Sequence, residues 1–202
     1  MTRALGIRAA APAIGASLLG VAALVLGGCG SNDVAVTVDM LSFVPAANRS
    51  DDYMIPPGVF APPMALDPQL VTLGESLADR VNMERVVLNF VVDFEGATGS
   101  GAGSADVALY LAIPDSTSLS DALYQSSPIY TGRLDLAAGT KRVLAGALEA
   151  TAENGLLPVF QNGDFALGLT ISFDASAATV PLAGRWTIQQ IDALILGQSD
   201  PL

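Results

Sequence analysis

The chain reads as an all-β protein: an antiparallel two-sheet β-sandwich, Ig-like or jelly-roll-like, with one or two short helices. Three observations predict this. Apolar and polar residues alternate in at least six separate stretches, the pattern of strands that bury one face. Glycines and prolines fall between those stretches and punctuate them. The 202 residues, 51% of them hydrophobic, suit one core and are too few for two sizeable ones.

Taken in order, Val34, Val36, Val38 and Met40 alternate with Ala35, Thr37 and Asp39 and form the first strand. Residues 45–68 hold six of the twelve prolines, which block regular pairing and predict an irregular connection. Leu88, Phe90, Val92 and Phe94 share one face of the next strand. The run Gly96–Ser104 then reads as a flexible hairpin connection. Val107, Leu109, Leu111 and Ile113 give a further strand, and Ser118–Gln125 a short helix. Ile129–Leu136 is extended. From Thr140, the four-residue recurrence of Leu144, Leu148 and Ala152 predicts a helix ending at Asn154-Gly155, with a strand at Arg142–Leu144 the close alternative. Phe165, Leu167, Leu169, Ile171 and Phe173 form the clearest strand of all. Arg185–Leu196 is the last, with Trp186 in the core and a phase slip near Gln189-Gln190 that predicts a bulge.

Composition excludes whole classes of chemistry. Twenty acidic residues against nine basic ones give a formal charge of −11, which repels phosphate backbones, so no nucleic-acid partner is expected. There is no histidine, hence no Ser-His-Asp triad and no imidazole metal ligand. The single cysteine, Cys29, rules out an intramolecular disulfide and a cysteine-based zinc site. Lys141 is the lone lysine.

The N-terminus carries the most specific signal. Arg3 and Arg8 are followed by an apolar or small stretch from Ala9 to Leu26, then by Gly27, Gly28, Cys29 and Gly30. That is the layout of an export signal. A membrane-spanning anchor is the alternative, weakened by Pro12 and the glycines. The run Leu26-Gly27-Gly28-Cys29 resembles the lipobox of bacterial lipoproteins at each position. The resemblance implies cleavage after Gly28, a diacylglyceryl thioether on Cys29 and acylation, such as with palmitate, of the new amine. It also implies a bacterial cell-envelope location, and Gly30 in place of an Asp implies the outer membrane. Domain organisation follows: residues 1–28 are the signal peptide, 29–33 a lipidated tether, and 34–202 one β-sandwich domain. Loss of Arg3 and Arg8 with the signal leaves 7 basic against 20 acidic residues, a net −13.

Other constellations are weaker. Asp93 and Glu95 lie two apart on a strand, a spacing that suits a carboxylate pair in glycoside hydrolysis and equally any solvated strand end. With Asp106 across the glycine run they are calcium candidates, although the dense spacing of a dedicated calcium loop is missing. Asp51-Asp52 is a second acidic pair, in a loop. Gly96–Ser104 resembles a phosphate loop only superficially, because a strand rather than a helix follows it. The Pro-rich segment either packs along a sheet edge or caps one end of the sandwich, with Phe60 as a plug, or serves as a lid or contact strip for a partner or lipid, with Tyr53 and Phe60 as candidate contacts.

These observations lead to a lipid-anchored envelope protein whose sandwich is a non-catalytic binding or structural module, with no catalytic residue and no cofactor expected. Its partners are the membrane, through the lipid, and an envelope protein or an apolar ligand. A carrier of lipid or another apolar ligand is the alternative, and it requires a cavity between the Phe165–Phe173 and Leu88–Phe94 faces. An envelope hydrolase built on Asp93 and Glu95 is the third reading.

Overall fold

A computed structural model of the chain describes residues 21–25, 32–73, 81–114 and 123–199. The lipobox residues Leu26, Gly27, Gly28 and Cys29 lie outside the described residues. The strands in chain order are β1 (Val21–Val25), β2 (Asn32–Asp39), β3 (Ser50–Ile55), β4 (Phe60–Ala65), β5 (Gln69–Thr72), β6 (Val81–Gly96), β7 (Gly103–Ala112), β8 (Tyr130–Leu136) and β9 (Lys141–Ala150). A helical turn, α1 (Leu157–Gln161), leads to β10 (Asp164–Asp174) and β11 (Leu182–Ser199). Two 3₁₀ turns, Met40–Phe43 and Ala46–Asn48, separate β2 from β3.

The strands form two antiparallel sheets packed face to face. The first has the order β1-β2-β11-β6-β9, with β3 also on β11; the second has the order β4-β10-β7-β8, with β5 also on β10. The organising element is β11, whose 18 residues span about 55 Å at the usual strand rise. One side of it pairs with β6 along nearly its whole length. Its other side takes β3 at Leu182–Thr187 and β2 at Asp192–Ser199. The expected bulge is present: register slips between Ile188 and Gln190, and Ile188 donates its N–H to Arg49 O at 2.7 Å. The 3₁₀ excursion at 40–49 sits opposite this slip, so β2 and β3 follow the same side of β11 and are interrupted there.

Alternation along the facing strands builds the core. Leu88, Phe90, Val92 and Phe94 from β6 meet Phe165, Leu167, Leu169, Ile171 and Phe173 from β10, all of them buried in one cluster. Trp186 is buried as expected, at 2% exposure.

Three expectations change. The segment from Thr140 is strand β9 rather than a helix. Its inward residues are Leu144, Gly146, Leu148 and Ala150, a period of two that reads as four because glycine contributes no side chain. The Phe90 and Tyr130 rings occupy the space a Cβ at Gly146 would take. The helix lies later, at Leu157–Gln161, where Leu157 and Phe160 plug the core. The Pro-rich segment is not one irregular connection: it supplies β3 and β4, and β5 follows it directly. Pro62 and Pro63 fit because β4 is an edge strand and both fall in its register shift against β10, between the pairs Ala61–Phe173 and Met64–Ile171, where no ladder bond is lost. Of the expected helix at 118–125, Leu123–Gln125 are helical and the earlier residues lie outside the described ones.

Candidate functional site

Strand direction divides the molecule into two ends. At one, Asn32 of β2 pairs with Ser199 of β11, and Ser199 pairs with Val81 of β6. This is the end to which residues 29–31 lead. At the other lie the β3–β4 turn, the 97–102 loop, the β8–β9 turn and the 175–181 loop. These loops are tied together. Gly58 N–H donates to Ala175 O and Ala175 N–H to Val59 O, both at 2.9 Å. Ala97 N–H donates to Ala183 O at 2.9 Å and Gly101 N–H to Pro181 O at 2.8 Å. The glycine run is therefore a pinned crossover from β6 in the first sheet to β7 in the second, and not a flexible hairpin.

On the outer face of the first sheet, register sets Asp52, Arg185, Glu95 and Lys141 side by side across β3, β11, β6 and β9. Arg185 reaches Asp52 at 3.7 Å and donates to Ser50 Oγ at 3.1 Å. Lys141 Nζ lies 2.6 Å from Asp93. Its ammonium is held above the usual lysine value by the hydrogen bond to Asp93 and by that carboxylate's charge. A groove of about 480 Å³ runs beside this row, lined by Asp52, Met54, Glu95, Thr98 and Arg185 among others. Of the eight large hydrophobic residues exposed among those described, Met54, Val59, Phe60 and Val180 lie at this same end.

Tyr53 faces the core and not the solvent. It is 4% exposed, its ring is stacked on Phe173 with centroids 4.4 Å apart, and burial pushes its hydroxyl up to about 12. The alternation of β3 turns Tyr53 and Ile55 inward and Met54 outward, so the outward residue is Met54, at 76% exposure. Phe60 is exposed at 56%; it is available for contact and is not a plug. Asp51 and Asp52 belong to β3 rather than to a loop.

The calcium candidates are separated. Asp93 and Glu95 face outward from the first sheet, while Asp106 faces outward from the second, where Arg133 holds it at 3.1 Å and also reaches Asp174 at 3.3 Å. Two packed sheets stand between these carboxylates, so one ion cannot bind all three. Among the described residues no group of three or more His, Cys, Asp or Glu side chains is placed to hold a metal.

No protein-family model and no curated protein sequence matches the chain. Solved structures match it at low identity. The structure of infectious bursal disease virus Gx strain matches 83% of this chain at 9% identity, with a TM-score of 0.43. That of the Gt strain matches 93% at 11% identity, with a TM-score of 0.41. Dimeric latent PorU from Porphyromonas gingivalis matches 74% at 8% identity, with a TM-score of 0.29 and 13% of its own length covered. The chain spans about a third of the length of the two viral chains, 32% and 38%.

The carrier cavity is not there among the described residues. Phe90, Phe94, Phe165 and Phe173 close the space between the sheets, each at 1% exposure or less. A partly open void lined by Val44, Leu66, Leu109, Leu167 and Ile191 among others has about 20 Å³, room for about one water molecule. No described helix is long and apolar enough to cross a membrane.

Proposed function

We propose that this chain is a lipid-anchored cell-envelope protein whose sandwich is a non-catalytic binding or structural module, held to the membrane by Cys29 at one end and working through the loops at the other. The observation that supports this most is the polarity of the fold. Strand β2 begins three residues after Cys29, a reach of about 10 Å, whereas Arg185 and the groove lie 14 residues back along β11 from Ser199, about 45 Å away. The anchor holds one end down, and the other projects a charged row, a groove and exposed apolar side chains. A close-packed interior favours a surface that binds over a domain that stores a ligand.

The test is metabolic labelling with a palmitate analogue, followed by membrane fractionation, of the wild type and Cys29→Ala. The wild type should take up label and sediment with envelope membranes, and the variant should take up none. Equal labelling of both proteins rejects the assignment.

A further inference from the structure

Residues 21–25 belong to the segment read as signal peptide, yet in the full chain they form β1 and close the outer edge of β2. Cleavage after Gly28 takes β1 away. We propose that the edge so exposed, Val34–Val38, is a strand-acceptor site that takes an extended, uncharged apolar segment of a partner protein by antiparallel β-addition. This rests on the lipid-anchor reading, because only cleavage frees the edge.

The edge is built to accept a strand. Val21–Val25 pair with Val38–Val34 in unbroken antiparallel register, while β11 holds the other side of β2. Unpaired backbone groups on such an edge are a template for another chain, and proteins usually blunt them with prolines, charges or bulges. The neighbouring edges are blunted in this way. Strand β4 has Pro62, Pro63 and a register shift, β3 has Asp51 and Asp52, and β9 begins with Lys141-Arg142. Val34-Ala35-Val36-Thr37-Val38 has no charge, proline, glycine or slip.

The seated strand defines the class of occupant. Val21-Ala22-Ala23-Leu24-Val25 is apolar at every position, so the fitting segment is short, extended and uncharged. The site starts two residues from Asn32 and runs for about 13 Å, which places the occupant in a partner close to the bilayer. A second copy fits less well. Antiparallel pairing of two β2 strands centred on Val36 sets their Asn32 ends about 25 Å apart at opposite ends of the pair. Both short tethers then have to be served by domains lying flat.

The experiment is amide hydrogen exchange on two forms purified from membranes in detergent: the mature lipidated protein, and Cys29→Ala, which retains residues 1–28. In the retained form the amides of Val34–Val38 should be protected throughout. In the mature form those not bonded to β11 should exchange at least tenfold faster, and a peptide of residues 19–27 added in trans should restore protection. The same peptide carrying Ala23→Pro, which lacks a backbone donor, should not. Unchanged exchange on adding the peptide overturns the proposal. So does a concentration-dependent dimer of the mature protein that protects the edge without peptide, which makes a second copy the occupant. The mass of the N-terminal fragment of the mature form separates the two failures. A fragment beginning upstream of Cys29 shows that the anchor reading, and not strand acceptance, is at fault.

Discussion

Tyr53 and Trp186 bury polar atoms that have no hydrogen-bond partner in the structure, Oη and Nε1 respectively. An unsatisfied buried hydroxyl costs about 1–3 kcal/mol, so Tyr53→Phe, which keeps the ring on Phe173, should raise stability by about 1 kcal/mol in urea unfolding. A loss instead would mean that the hydroxyl has a partner. Gly184 lies opposite Tyr53, and a Cβ there would meet both the Tyr53 ring and the Glu95 carbonyl. Gly184→Val should destabilise by about 2 kcal/mol or more, as overpacking does. On the acid side, hydrogen bonds from Ser176, together with the charge of Arg133, hold Asp174 below the usual carboxylate range of 3.8. The folded state therefore favours the ionised form, and this contribution is present above pH 3.8 and lost as pH falls through the lower native value. Urea midpoints measured from pH 5 down to 2 should fall less steeply for Asp174→Asn. Lys141 has the opposite sign: its contribution is complete below the ordinary lysine value of 10.5 and is lost as pH rises above it. Lys141→Met should remove that alkaline dependence. It also strips the carboxylate of Asp93 of its cation, which makes it a direct probe of whether the Asp93–Glu95 pair has any hydrolytic use.

At the scale of elements, the blunted edge of β4 should matter for solubility. Pro62→Thr with Pro63→Val adds two backbone donors to an edge that already exposes Phe60 and Met64. The double variant should self-associate at concentrations where the wild type is monomeric, as light scattering would show. The strands most legible in the sequence are those with a large side chain at every inward position, such as Val34–Val38, Leu88–Phe94 and Phe165–Phe173; Ile129–Leu136 also reads as extended although Gly132 faces inward. Strand β9 was hidden by Gly146, and β3–β5 by prolines that an edge strand tolerates and an interior strand does not. The bulge at Gln189 was legible because a lost phase in an apolar pattern has one simple cause. Helix α1 was missed because five residues are too few to show a helical period. The candidate site was mostly illegible for a related reason. Asp52, Arg185, Glu95 and Lys141 are scattered over 134 positions, and only sheet register sets them in a row. Tyr53 and Met54 were distinguishable only once the phase of β3 was known.

At the scale of the whole molecule the fold has two unlike ends: one where Asn32 pairs with Ser199, and one that exposes Phe60, Arg185 and the tied loops. The described residues near Asn32 and Ser199 include Asp33, Glu84, Glu149, Glu153 and Asp164 against Arg85, while Arg133, Lys141, Arg142 and Arg185 stand towards the other end among Asp52, Asp93, Glu95, Asp106 and Asp174. Anionic headgroups repel an acidic end, so under the proposed anchor the acyl chains would supply the whole of the attachment. The central claim is that this attachment is made at Cys29, and one measurement tests it directly: mass spectrometry of the N-terminal fragment of the protein isolated from its native envelope. The account expects a fragment beginning at Cys29, with a diacylglyceryl group on Sγ and an acyl chain on the amine. A fragment that runs through Leu26-Gly27-Gly28-Cys29 with an unmodified thiol would contradict it.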